Sequence, residues 1–435
     1  MVNESVAIAL LLISFIVMVI CKQPVSFALM ISSIITMLYV KVPLMTMVQT
    51  LAKSVNSFSL LAIPFFILMG EIMGKGGISD RLFRFANVLV GRLPGGLAHV
   101  NVLASMFFGG ISGSAVADVA SLGKIEIPMM ESAGYSKEFS IAVTAASACQ
   151  GLIIPPSHNM VVYAMAAGGV SVGRLFLAGY LPGILLGIML MVLCAYFAIQ
   201  RNYPRGEKIT LKEGLKITWE AFFAILSMVI VVGGVVLGWF TATEAAAVAC
   251  VYCFIVATCI YRELKLNMMG KVLFNTVKTL AMVYVLIAAA GAFGWVLAYL
   301  RVPAKFAKLI LGISNNKIVI LLLINLLLLF LGCIMDMAPL ILIMTPILLP
   351  IVKSVGMGEI QFGIMLIMNL AIGLLTPPVG SCLFAACAVG GSDIETVTKE
   401  LLPFYFMMVF TLLLITFVPA ISLTIPDWLM PLGGK

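Results

Sequence analysis

Apolar residues run along this chain in stretches of about twenty, the length that crosses the hydrocarbon core of a bilayer as a helix. The pattern predicts spans over 4–21, 24–42, 58–74, 137–167, 175–200, 218–240, 244–261, 279–300, 361–389 and 401–423. Two further stretches, 97–130 and 317–353, are apolar but carry Gly, Ser or Asp at mid-length. They predict re-entrant hairpins that enter and leave by one face, because non-helical backbone at membrane depth needs the cover of protein or a cavity. The fold class expected is an all-α polytopic membrane protein.

Two spans are interrupted in the same way. "IIPPSHNM" (153–160) and "LLTPPVGS" (374–381) each place adjacent prolines, then polar side chains, where lipid would be expected. Proline lacks the backbone donor and forbids a straight helix, so both are broken helices. A shift of 222 residues superposes them. Gly110 meets Gly332, Pro128 meets Pro350, Gly134 meets Gly356 and Gly151 meets Gly373. Pro155–Pro156 then meet Pro377–Pro378, and Gly168–Gly169 meet Gly390–Gly391. Eight of the eleven Gly and Pro residues from Gly109 to Gly169 find an identical partner, whereas a composition of 38 glycines in 435 residues predicts about one by chance. Five spans and one hairpin separate the copies, an odd number of crossings, so the halves are expected in opposite orientation. Inverted repeats with paired broken helices are the signature of secondary transporters, with the site near midplane at the repeat interface.

Composition agrees. Sixty-three per cent of the residues are hydrophobic and only 10% charged, with a mean hydropathy of +1.18, against about 25% charged in soluble domains. The first apolar run lacks a basic leader and a small-residue cleavage site and reads as a retained span. Net charge is +8, yet no basic run is interleaved with aromatics, so nucleic acid is not an expected partner. The nine cysteines fall within apolar stretches and read as small buried hydrophobes rather than metal ligands. Placement of Lys and Arg orients the chain: Arg201, Arg205, Lys208, Lys212 and Lys216 mark a cytoplasmic loop, which also puts Lys75 to Arg92 and Arg262 to Lys271 inside and both termini outside. Arg301, Lys305 and Lys308 then fall outside, as an amphipathic arm at the interface whose mirror image is residues 79–90.

The hairpin tips "GGISGSAVAD" (109–118) and "LGCIMDMAP" (331–339) set small residues beside oxygen-bearing ones. A turn at midplane exposes carbonyl oxygens at one helix end, which suit a hard cation, and N–H groups at the next, which suit an anion. Pairing each tip with the proline break of its own half defines two cation sites. Site one comprises Ser112, Gly113, Ser114, Pro155 and Ser157; site two comprises Gly332, Asp336, Met337, Thr376, Pro377 and Gly380. The substrate space between them would be lined by Ser157, His158, Asn159, Gly380 and Ser381. Asp336 is the best ionic ligand, since an ionisable residue at midplane is costly and usually functional. Asp118 could cap or pair instead, Glu71 is expected to pair with Lys75 at i+4, Glu244 to cap a helix, and His99 to be a core or interface histidine. His158 reads equally as a substrate contact or a satisfied core residue.

These residues lie in a sequence that resembles, over essentially its whole length, the large membrane subunit of tripartite ATP-independent periplasmic (TRAP) transporters. The matching stretches include "LMGEIMGKGGISDRLF", "GRLPGGLAHVNVLASMFFGGISGSAVAD", "IIPPS", "TATEAAAV" and "NLAIGLLTPPVGSCLFAAC". The resemblance implies a bacterial inner-membrane importer of organic anions coupled to Na+, a small four-helix membrane partner subunit and a periplasmic substrate-binding protein. It also implies an elevator-type carrier. Residues 97–184 and 316–400 would form the transport domain, 1–96 and 185–315 the scaffold spans and arms, and 401–435 a C-terminal span. His158–Asn159 depart from the apolar residues that many members carry there, and resemble the branch transporting sialic acid; a C4-dicarboxylate is the alternative substrate.

Two rivals come from other classes. "GISG" (110–113) with His158 as base would suit an intramembrane serine protease. Its counterpart at 332–335 has no serine, and a repeat needs no catalytic dyad. A passive channel also uses broken helices, but hairpins from opposite faces suit alternating access. The orientation is checked by a cysteine at Thr210: in intact cells it should resist impermeant thiol reagents, and labelling from outside would reverse the topology.

Overall fold

A computed structural model describes residues 3–21, 23–206, 209–314 and 316–431, with all side chains within them except those of residues 59, 110–112, 311 and 313. Every regular element among them is helical. The first half opens with α1 (Glu4–Ile20), α2 (Val25–Tyr39), the amphipathic α3 (Leu44–Val55) and α4 (Ala62–Lys75), which bends by 72° into the arm α5 (Ile78–Val90). It continues with α6 (Gly96–Ser112), α7 (Ala115–Ser121), α8 (Gly123–Ser132), α9 (Lys137–Gly151), α10 (His158–Ala166) and α11 (Val172–Gln200). After α12 (Leu211–Val236) and α13 (Ala242–Ile255) come α14 (Met269–Tyr299), the arm α15 (Val302–Ile313), α16 (Lys317–Gly332) and α17 (Met337–Ser354). The chain ends in α18 (Glu359–Gly373), α19 (Ser381–Gly390), α20 (Ile394–Phe417) and α21 (Pro419–Leu429).

The repeat is visible in where helices start and stop. At an offset of 222 residues, α9 and α18 share both boundaries, α7–α8 together match α17, and α11 and α20 begin in register. Both proline pairs fall between helices and contain a cis peptide bond, at Pro155–Pro156 and Pro377–Pro378. The breaks leave α9 and α18 at 15 residues each, too short to cross alone. Six helices among the described residues are long and apolar enough to cross, or seven if the bent α4–α5 pair is one span.

These two short helices are the centre of the protein. Phe139 to Gly151 in α9 and Ile360 to Gly373 in α18 are buried without interruption, so neither meets lipid. Hydrophobicity cannot pull helices together in lipid, so close backbone approach and interhelical hydrogen bonds must. Both are present. A Cβ on Gly109 of α6 would lie 2.2 Å from the Gly151 Cα, and one on Gly373 would lie 2.6 Å from the Gly332 Cα of α16. Beside the first contact, Asn101 donates to Thr144 Oγ1 (2.7 Å) and accepts from the Ser147 hydroxyl (2.6 Å). Beside the second, Asn369 donates to Asn325 Oδ1 (2.9 Å) and Asn325 to Thr416 Oγ1 (3.2 Å). Such bonds contribute about 0.6 kcal/mol each in bilayers.

The halves are also tied to each other. Tyr163 of α10 donates to the Glu359 carbonyl (2.6 Å), and Lys137 donates to the Gly391 carbonyl (2.7 Å). Around this body α1–α4 and α12–α14 pack on one another, and each arm packs on its own half's hairpin, α5 on α6 and α15 on α17.

Several expected boundaries are corrected. The domain limits at 184/185 and 400/401 fall inside the continuous helices α11 and α20, both of which pack on α18. Apolar length marks a span but not the body against which it packs. The expected span 401–423 begins earlier, at Ile394, and ends at Phe417, where Pro419 at the start of α21 cannot continue the ladder. Expected spans 218–240 and 279–300 also start earlier, at Leu211 and Met269, since a helix continues through polar residues that hydropathy discounts. At the first of these starts, Thr210 and Glu213 form a capping box. Helices α3 and α21 were not anticipated.

The glycine contact generates a stability prediction. Gly109→Ala should force α6 and α9 apart and cost about 1–3 kcal/mol, read as a lowered melting temperature of the purified protein. Gly270→Ala, whose Cβ would meet open space, should not lower it.

Candidate functional site

Each hairpin tip is fastened to the proline break of its own half. In the first half α6 ends at Gly113, whose φ of 61° is open to glycine, and Ser114 caps α7 through the Ala117 N–H (3.4 Å). Asn159 donates to the Gly113 carbonyl (3.1 Å), and a Cβ on Gly113 would lie 2.5 Å from His158 Nδ1. In the second half Asp336 caps the start of α17 by position, and Ser381 donates to its carboxylate (3.2 Å). There the tie is backbone to backbone: Val379 N–H donates to the Cys333 carbonyl (3.1 Å).

Both tips open on one cavity of about 740 Å³, between these elements on one side and α4 and α14 on the other. Gly113, Ser114, His158, Asn159, Asp336, Met337 and Ser381 line it, so residues 200 positions apart are brought together as the repeat predicted. Gly332, Pro155, Ser157, Thr376, Pro377 and Gly380 lie in the tips and breaks behind that wall and do not line it. The Ser112 side chain is outside the described residues.

The donor set suits a hard cation better than a soft one. Among the described residues no three His, Cys, Asp or Glu side chains gather as a metal centre. Ser157 is fully buried, and its hydroxyl has no hydrogen-bond partner among the described residues. Thr376 is already engaged, its hydroxyl donating back to the Ile372 carbonyl (2.8 Å) with the Cys333 thiol and the Tyr405 hydroxyl beside it. Asp336 is exposed to the cavity.

Other polar residues sort as follows. Glu71 pairs with Lys75 (3.5 Å), Glu244 forms a capping box with Thr241, and His99 is a buried histidine whose Nε2 meets the Pro94 carbonyl (3.0 Å). Asp118 lies in the first turn of α7, fully buried, with the Ser105 hydroxyl beside it. Glu126 of α8 is fully buried, with neither carboxylate oxygen bonded to a described residue. Their repeat counterparts are Leu340 and Leu348.

Sequence reasoning did not place Glu71, Lys75, Asn275 and Thr279 on the cavity wall. The available signal was the pair of glycines, Gly70 and Gly74, each preceding a charged residue within a span.

A bundle of broken helices whose two halves converge on a single polar cavity defines the class of secondary-transporter permeases. The model of the family described as "Tripartite ATP-independent periplasmic transporter, DctM component" matches residues 12–421, and the chain belongs to that family. It is 43% identical over 421 residues to the uncharacterized protein YgiK of Salmonella typhimurium, covering 96% of this chain and 97% of that one. It is 40% identical to the sialic acid TRAP transporter large permease protein SiaM of Vibrio cholerae (88% and 90% covered). It is 41% identical to the C4-dicarboxylate TRAP transporter large permease protein DctM of Pseudomonas aeruginosa (86% and 87% covered). Among solved structures the fold is shared with the Alcanivorax borkumensis YdaH transporter, at a TM-score of 0.62 and 15% identity over 86% of this chain and 88% of that one. The chain is therefore a TRAP transporter large permease, a multi-pass protein of the inner membrane and not an enzyme.

The bond between Asn159 and the Gly113 carbonyl yields a prediction. Removing one partner leaves a buried carbonyl unpaired, at about 1–3 kcal/mol. Asn159→Ala should therefore speed hydrogen exchange at residues 113–117 by about ten-fold or more. The tip at 333–338, held by backbone, should be unaffected; exchange mass spectrometry reads both.

Proposed function

We propose that this permease imports a small organic anion by symport with Na+, with sialic acid as the first candidate substrate and a C4-dicarboxylate as the second. The observation that carries the reading is the single cavity on which both hairpin tips and both breaks converge. Relatives whose names print a substrate carry sialic acid, C4-dicarboxylate, isethionate or 2,3-diketo-L-gulonate, and all of these are organic anions. The sialic acid reading rests on His158 and Asn159, which give the cavity wall polar groups for an amide and hydroxyls.

Na+ would be held twice. In the first half the ligands are Ser112, Gly113, Ser114, Pro155 and Ser157, through hydroxyls and carbonyls; the unpartnered Ser157 hydroxyl supports this. In the second half they are Gly332, Asp336, Met337, Thr376, Pro377 and Gly380, with Asp336 supplying the charge. A cation at each tip fixes the turn against its break, so substrate meets a formed wall only when Na+ is present. That dependence is what couples the two flows.

The hairpins and broken helices, α6–α10 and α16–α19, would move as an elevator against a scaffold that includes α1–α4 and α12–α14. The internal ties within the first group support its moving as one body. A small four-helix membrane subunit would complete the scaffold, and a periplasmic binding protein would deliver the anion from outside.

The test is uptake by proteoliposomes containing the permease, its small subunit and the binding protein, under an imposed Na+ gradient. Labelled N-acetylneuraminate should accumulate, saturate and collapse with the gradient; accumulation of succinate instead would select the second substrate. Asp336→Ala should weaken the Na+ dependence and Asp336→Asn retain part of it through the amide oxygen. An unchanged Na+ response in both would remove Asp336 from the site.

A further inference from the structure

The wall opposite the two tips contains one cation among the described lining residues, Lys75 at the end of α4. Its ammonium nitrogen is shielded from bulk solvent and makes no hydrogen bond. Its contact is the Glu71 carboxylate one turn back, at 3.5 Å, beyond ordinary hydrogen-bonding length. The same Glu71 oxygen accepts from Asn275 of α14 at 3.2 Å, so it is held toward α14 and shared. The Lys75 side chain thus lines the cavity, while its nitrogen is covered and paired only with that carboxylate among the described residues. A lysine in the last turn of a helix commonly serves the helix's own carbonyls. Here it does not.

The second half shows that the bend does not require this ion pair. There α14 ends at Tyr299, Arg301 takes the left-handed conformation (φ 54°) that Gly77 takes after α4 (φ 70°), and the arm α15 starts at Val302 as α5 does at Ile78. The residues that match Glu71 and Lys75 in this alignment are Trp295 and Tyr299, whose rings stack at 5.2 Å. The same turn can therefore be closed by apolar packing. Only the first half spends two charges on it, and both residues line the large cavity. Gly70 and Gly74 flank the pair, and a Cβ on Gly74 would meet open space, so the cavity extends to the backbone of α4.

We infer that Lys75 is an anion-binding station: its ammonium takes the carboxylate of the substrate, while Asn275 holds Glu71 aside. This rests on the organic-anion reading above and adds the scaffold side of the site to it. An incoming carboxylate would face two negative groups, Glu71 and Asp336, and Lys75 offsets one of them. A cation beside Asp336 would offset the other. The carboxylate spans the moving and fixed walls when the cavity is arranged as it is here.

The experiment uses the reconstituted three-component system with labelled N-acetylneuraminate, succinate and isethionate, together with neutral N-acetylmannosamine. Lys75→Met should raise the half-saturating concentration of whichever anion the wild type takes up by ten-fold or more, and Lys75→Arg by less than about three-fold. Glu71→Gln should lower it or leave it unchanged, because a competing negative charge is gone. The Na+ concentration for half-activation at saturating anion should move by less than about two-fold in all three. If Lys75→Met keeps the wild-type half-saturation, the station is overturned while anion transport stands. If Lys75→Met and Glu71→Gln lose uptake alike and melt at equally lowered temperatures, the pair is structural and the station is again overturned. Wild-type uptake of N-acetylmannosamine and none of the anions would overturn the anion reading itself.

Discussion

A helix that stops halfway across a bilayer leaves carbonyl and N–H groups with no water to receive them, and this permease stops two helices there. Each unpaired group would cost several kcal/mol in hydrocarbon, so everything around α9 and α18 is arranged as cover. Their complete burial, the glycine contacts with α6 and α16 and the Asn–Thr–Ser ties all follow from that requirement. Once covered, the unsatisfied ends become the most polar points in the membrane interior. The cover opens on the cavity side, where Gly113, Ser114 and Asp336 line the wall.

The repeat solves the covering problem twice with different side chains. Asn101 with Thr144 and Ser147 does for the first half what Asn325 and Asn369 do for the second. The departures from symmetry are therefore informative. Asp118 and Glu126 stand fully buried where the second half has Leu340 and Leu348, and Glu71–Lys75 stands where it has Trp295–Tyr299.

Much of this architecture could be read before any coordinates, because proline and glycine act locally. A pair of prolines breaks a helix whatever surrounds it, and its recurrence 222 residues later located both breaks and both tips. Asp336, Ser381, His158 and Asn159 were found on the same logic and do line the cavity. What stayed hidden depends on neighbours distant in sequence. Asn159 reads as a free polar group until the Gly113 carbonyl is placed beside it, and Glu71–Lys75 reads as a surface pair until α14 supplies Asn275. The limits drawn at 184 and 400 fall within α11 and α20 for a related reason: helix continuity leaves no mark in hydropathy.

The two gates differ in how heritable change can reach them. The second tip is held by a bond from the Val379 amide to the Cys333 carbonyl, groups that every amino acid but proline supplies. The first is held by the amide of one side chain, Asn159. A single codon change at Asn159 removes the first tie, while the backbone tie of the second outlasts even loss of the Ser381–Asp336 bond beside it. Diversification among relatives should accordingly accumulate on the first half's side of the cavity, with the other side serving as the fixed reference against which new specificities are tried.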